Sequence, residues 1–164
     1  MAVHPDGVAA SIVAVWREDG QPRVLLLAHD RGTRWLAAEA VRISRKYQTP
    51  IVHDSQGVVM VEVEQMQRMR PKPSLKPQTW GNVQTAAGLI VKEVNTGTVG
   101  HWDQEKLNEA VAFAQKRGGA GRAGWALGRS NPEQDITPIE AAALALRVYD
   151  QTPERQKLPR MTFA

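Results

Sequence analysis

The sequence predicts an α/β fold in which a mixed central sheet opens with an antiparallel β-hairpin and carries helices on both faces. Three observations support it. Two apolar runs, Val8 to Trp16 and Arg23 to Ala28, flank the turn pair Asp19-Gly20. Helical stripes then alternate with short extended pieces. The last stripe has a helix start signalled at Thr137 and Pro138.

After the hairpin, the polar stretch Asp30-Arg31-Gly32-Thr33 reads as a turn. Leu36, Ala40, Ile43 and Tyr47 recur at helical spacing, with Arg42, Arg45 and Lys46 on the other side, so an amphipathic helix of about three turns follows. Thr49-Pro50 ends it, because the residue before proline is biased away from the helical region. Ile51-Val52-His53 is a short buried strand that stops at Asp54-Ser55-Gln56-Gly57. Val58 to Met69 fits a helix through Val59, Val63 and Met66, or a strand through the alternation Val61-Glu62-Val63-Glu64; helix is preferred. Pro71, Pro73 and Pro77 make an extended connector too short to separate domains.

Val83, Ala86, Ala87, Ile90, Val91 and Val94 form the cleanest helical stripe, capped near Asn82. Another helix starts near Asp103 and turns Leu107, Val111 and Ala114 inward. The glycine-rich stretch Gly118 to Gly124 has neither a GxxxxGKS nor a GxxxxGKT pattern and no strand before it, so it reads as a loop or hairpin tip. Arg117, Arg122 and Arg129 around it are either solvated charges or contacts for a nucleic-acid backbone. At the last helix, Thr137 is expected as N-cap, Pro138 as first helical residue and Glu140 as the reciprocal partner of a capping box. Residues 151–164 are expected to be a flexible tail after a single domain of residues 1–150.

A chain of 164 residues, 42% of them hydrophobic, is long enough for one domain with a real core. Its net charge of +4 and isoelectric point near 9.7 favour an anionic partner. Nucleic acid is preferred to a membrane, since no long apolar run occurs. With no cysteine there is no disulfide, thiolate metal site or cysteine nucleophile, which fits a reducing cytosol. Met1 to Gly7 carry no signal-peptide pattern. No GxSxG elbow supports acyl chemistry.

His4, His29, His53 and His101 are scattered, without the spacing that closes a zinc site. His53, beside Asp54 at a strand end, is either a buried strand histidine or a group that assists a water or phosphate. The carboxylates form a better constellation. Asp54 ends a short strand and Asp135 stands at the mouth of the last helix, and in α/β sheets such ends converge on one edge. Oxygen donors meeting there suit magnesium or manganese, and a pair of such ions can drive phosphodiester hydrolysis. The structural alternatives are a turn residue for Asp54 and a loop residue complementing the helix dipole for Asp135.

The order of these elements, with VHDSQG at residues 52–57, HWDQEKLNEAVAFAQKR and finally DITPIEAAALAL, resembles the nuclease domain of tailed-phage terminase large subunits, most nearly those of actinobacterial phages. The resemblance runs from about residue 1 to residue 150 and implies an RNase H-like fold. It also implies a Mg2+- or Mn2+-dependent endonuclease that uses two ions to cut concatemeric viral DNA during packaging, in the host cell cytoplasm. Double-stranded DNA, the terminase ATPase domain, the small terminase subunit and the portal would be its partners, with no membrane involved.

By position, the resemblance places the fourth-strand acid on Asp54 and the final-helix acid on Asp135. For an endonuclease, Asp103 or Glu133 is a candidate auxiliary. The first acid would fall at about Ala2, and the nearest carboxylate is Asp6. Either Asp6 serves, or Met1-Ala2 replaces native sequence, or the module binds DNA or packaging partners without cutting. No P-loop occurs, so the ATPase motor is expected elsewhere. A Holliday-junction resolvase shares the implied fold, and only the terminase-like segments argue against it.

Overall fold

The computed structural model describes residues 1–118 and 124–152 of the 164-residue chain. The chain begins with β1 (Ala2–Val3), and the long hairpin follows as β2 (Ala9–Glu18) and β3 (Gln21–Arg31). Asp19 and Gly20 both take positive φ, 51° and 77°, as a two-residue hairpin turn with matching twist requires. Then come α1 (Leu36–Tyr47), β4 (Ile51–Asp54), α2 (Val59–Arg68), β5 (Leu75–Gln78), α3 (Trp80–Asn95), β6 (Gly100–His101) and α4 (Glu105–Phe113). A second hairpin, β7 (Ala114–Gly118) and β8 (Trp125–Arg129), precedes α5 (Thr137–Gln151).

The largest sheet has the order β1-β2-β3-β6, antiparallel except for the parallel β3/β6 pair. β4 pairs in parallel with β5, and it touches β1 where Met1 N donates to the Val52 carbonyl at 2.7 Å. β5 corrects the sequence reading of residues 71–77 as connector only. Pro77 masked it, because proline breaks the usual strand composition but is tolerated in a two-stranded edge pairing. The two-residue strands β1 and β6 are too short for any periodicity to show.

Alternation along the strands divides the core between two layers. Ala10 and Ile12 of β2 and Ile51 of β4 pack with Leu36, Val41, Val63 and Met66 from α1 and α2. Val13 of β2 and Val52 of β4 pack with Ile90 from α3, Leu107 from α4 and Ile139 and Leu146 from α5. Helices therefore cover both faces, as expected. The helix α5 is central: Ile139, Ala141, Ala142, Ala143, Leu144 and Leu146 are all buried, and small alanines let it lie close to its neighbours. Arg17 ties β2 to this helix through paired 2.7 Å bonds to Asp150, and to α3 through Glu93 at 2.8 Å.

One expected helix start shifts: α3 begins at Trp80, ahead of Asn82. Residues 119–123 of the glycine-rich stretch, including Arg122, and residues 153–164, on which the expectation of a flexible tail falls, lie outside the described residues. Among the described residues no helix is long and apolar enough to cross a membrane.

Candidate functional site

The period of two in β4 decides where its acid points. Ile51 faces α1 and α2 while Val52 faces α5, so His53 returns to the first side and Asp54 to the second. His53 is fully buried; its Nδ1 donates to the Asp54 carbonyl at 2.8 Å, its Nε2 has no hydrogen-bond partner among the described residues, and burial lowers its pKa. This is the structural reading of His53. Asp54 stays half-buried at the strand end, with Oδ1 accepting the Gln56 N–H at 3.0 Å. Burial pushes its carboxyl up.

Asp54 opens into a cavity of about 340 Å³ whose far wall is α5. Ala2, Trp80, Arg117 and Glu140 share that cavity. Glu140 is the acid the sequence reading missed. Its side chain is mostly enclosed, and burial pushes its carboxyl up to about 7. Arg129 and Arg117 act against that rise, and the charges of Asp135 and Asp54 add to it.

The expected capping box does not form. The Thr137 hydroxyl lies 2.7 Å from Ser11 Oγ across the core, and no side-chain cap bond is made by the residue preceding the helix. The helix entrance is held instead by Asp135, whose Oδ1 accepts the Thr137 N–H at 2.8 Å. A signal for Glu140 was present: it is a lone carboxylate in a stretch from Ile139 to Leu146 that is otherwise apolar on every side.

Asp135 lines a second cavity with His4, His29, Lys106 and Glu133, and does not line the cavity of Asp54 and Glu140. Its Oδ2 lies 3.6 Å from His29 Nδ1, which is 3.0 Å from Ser11 Oγ, and this Oδ2 is buried without a hydrogen bond among the described residues. Asp6 is exposed in the turn after β1, 3.7 Å from His4 Nδ1, and lines neither cavity. Asp103 is exposed before α4, where it accepts a bond from Asn108 at 2.7 Å. Glu140 feels the charge of both Asp135 and Asp54. Among the described residues no three His, Asp or Glu side chains stand close enough to hold a metal ion.

The position expected for the first-strand acid, Ala2, does face the cavity of Asp54 and Glu140. It brings a methyl group there and no carboxylate. Asp135→Ala is expected to cost about 1 kcal/mol of stability through the lost N-terminal hydrogen bond. Urea unfolding would measure this, and an unchanged midpoint would remove Asp135 from the cap.

No protein-family model and no curated protein matches the chain. Solved structures do. The large terminase nuclease from the thermophilic phage G20c superposes with a TM-score of 0.54 at 12% identity, over 90% of this chain and 85% of that one. The same nuclease with bound magnesium gives a TM-score of 0.57 at 14% identity, over 91% of this chain and 84% of that one. Identities this low speak to architecture, and the architecture is that of the phage large terminase nucleases, an RNase H-like α/β fold with helices on both faces of a mixed sheet.

Proposed function

We propose that this chain is a metal-dependent DNA endonuclease domain of a phage packaging terminase. The observation that carries the reading is the meeting of Asp54 and Glu140 in one cavity between a strand end and the central helix. Two half-desolvated carboxylates with raised proton affinity and no ion pair among the described residues form a site in which a cation can replace the proton. Oxygen donors of this kind suit Mg2+ or Mn2+, which keep several waters and need one or two carboxylates. A divalent ion held there supplies Lewis acidity toward a phosphate oxygen and a water of lowered pKa.

The chain's own residues define the rest. Asp54 is fixed by its turn bond to Gln56, and Glu140 by the buried helix that carries it. The apolar wall of Val83, Ala87, Leu127 and Leu144 keeps bulk water from the carboxylates. Two carboxylates fit one hydrated cation. The two-ion scheme expected from the resemblance asks for a third, which Ala2 does not offer, and Asp135 and Asp6 would have to be tested for it directly. The implied partners, double-stranded DNA, the terminase ATPase domain, the small subunit and the portal, and the host cytoplasm as location, belong to this proposal too.

The test is nicking of supercoiled plasmid. The wild-type chain is expected to nick in Mn2+ or Mg2+ and not in EDTA, with Asp54→Ala and Glu140→Gln inactive. Asp135→Ala and Asp6→Ala, run beside them, show whether the neighbouring acids contribute ligands. Nicking that survives EDTA or both cavity variants would sink the metal assignment. A second reading, a module that binds DNA or packaging partners without cutting, draws on the missing three-ligand cluster among the described residues. A wild-type chain that binds duplex DNA but never nicks it would favour that reading.

A further inference from the structure

The cavity of Asp54 and Glu140 also carries groups that no cation can use. Arg117 lines it from β7, and Trp80 lines it from the start of α3. The Trp80 indole N–H is buried and has no hydrogen-bond partner among the described residues. Guanidinium and indole nitrogens only donate, so an unpaired donor beside an arginine calls for an acceptor, and an anion supplies one.

The hairpin is built to aim Arg117. In the β7/β8 register Arg117 stands opposite Ala126, which is 1% exposed and lines the same cavity, so this face of the hairpin is the cavity wall. Diagonally across, a Cβ on Gly128 would come within 2.6 Å of Arg117 Cβ and 3.2 Å of its Cδ. Glycine at 128 is therefore what lets the arginine stem lie across the facing strand. Arg117 itself remains exposed, within reach of a polymer passing the cavity mouth.

We propose that Arg117 is a phosphate-binding arm of this cavity: its guanidinium, together with the Trp80 indole N–H, holds the non-bridging oxygens of a nucleic-acid backbone phosphate against the Asp54 and Glu140 site. The assignment rests on the nuclease reading above. A planar guanidinium can give two parallel hydrogen bonds to one phosphate, which a lysine cannot, so the contact orients the phosphate as well as attracting it. It reads backbone and not sequence.

The experiment compares wild type, Arg117→Gln, Arg117→Lys and Gly128→Ala, with thermal melting to confirm that each folds. Duplex binding is followed by anisotropy in EDTA over a salt series, and plasmid nicking in Mn2+. Arg117→Gln is expected to flatten the slope of log affinity against log salt by about 0.9 and to slow nicking at saturating DNA by about 100-fold. Arg117→Lys should recover the salt slope but only part of the nicking rate. Gly128→Ala, which keeps the charge but displaces the stem, should also slow nicking. If Arg117→Gln nicks at the wild-type rate with the wild-type slope, the assignment is overturned and the nuclease reading stands. A change in metal affinity with unchanged duplex binding would make Arg117 an internal counter-ion of Glu140 and overturn it as well. If the wild-type chain neither binds nor nicks duplex DNA, both readings fall.

Discussion

Glu140→Gln is expected to make the protein more stable above pH 7 while abolishing metal-dependent cleavage. The carboxyl belongs near 4.5 in the unfolded chain and is pushed up to about 7 in the folded one, chiefly by burial. Between those values the folded state keeps a proton that the unfolded state releases, so stability from this group is complete below about 4.5 and is lost as pH rises through 7. Fully ionised, the buried carboxylate costs on the order of 3 kcal/mol. Glutamine keeps the shape without the charge. Urea unfolding at pH 5 and pH 8 without metal should show the variant gaining at pH 8 and nearly equal at pH 5. Added Mn2+ should then raise the midpoint of wild type and not of the variant, since only a ligand that binds the folded state shifts the balance. A variant that loses stability at pH 8 would show that Glu140 holds a native partner there.

Asp54→Asn is expected to slow plasmid nicking by about 100-fold or more. Lewis-acid stabilisation of a phosphoryl transition state is worth several kcal/mol, and each 1.36 kcal/mol is a factor of ten. The asparagine can keep the bond from the Gln56 N–H through its own side-chain oxygen, so the strand end should hold its shape. Melting temperature in EDTA should therefore stay close to wild type, and duplex affinity in EDTA should not fall, because a negative charge has been removed from the DNA-facing cavity. Nicking at the wild-type rate would take Asp54 out of the site. Lost nicking together with lost folding would be separated by the melting measurement.

The parts of this molecule that were legible in sequence are those fixed within a few residues. Asp19-Gly20 announces the long hairpin because only such a pair takes two positive φ angles cheaply. The stripe of Leu36, Ala40 and Ile43 and that of Ala86, Ala87 and Ile90 announce helices, and each buries those residues. The preference for helix over strand at residues 58–69 agrees with α2, in which Val59, Val63 and Met66 form the buried side. Asp54 falls at a strand end as expected, because Ile51, Val52 and the turn residues after them bracket it.

Glu140 shows where local reasoning failed. Thr137-Pro138-Ile139-Glu140 has the spelling of a capping box, and that motif is complete within its own turn. Part of what undid it lies 126 residues away in sequence, where Ser11 on β2 takes the Thr137 hydroxyl; the rest is two residues away, where Asp135 takes the Thr137 amide that Glu140 would have bonded. Glu140 is then free to face the cavity that β4 opens with Asp54.

By itself the sequence determined the long hairpin, β4, the five helices and the class of fold, since 3.6- and 2-residue periods and turn chemistry act over a few residues; β1, β5, β6 and the β7/β8 hairpin left no such pattern. It also determined that carboxylates would stand at a strand end and at the last helix. Only the tertiary structure decided which carboxylates share a cavity, that Ala2 and Arg117 join them and that Asp135 caps a helix. These outcomes depend on pairings such as Ser11 with Thr137 and β4 with β5, and the free energy of a contact between distant residues leaves no local pattern.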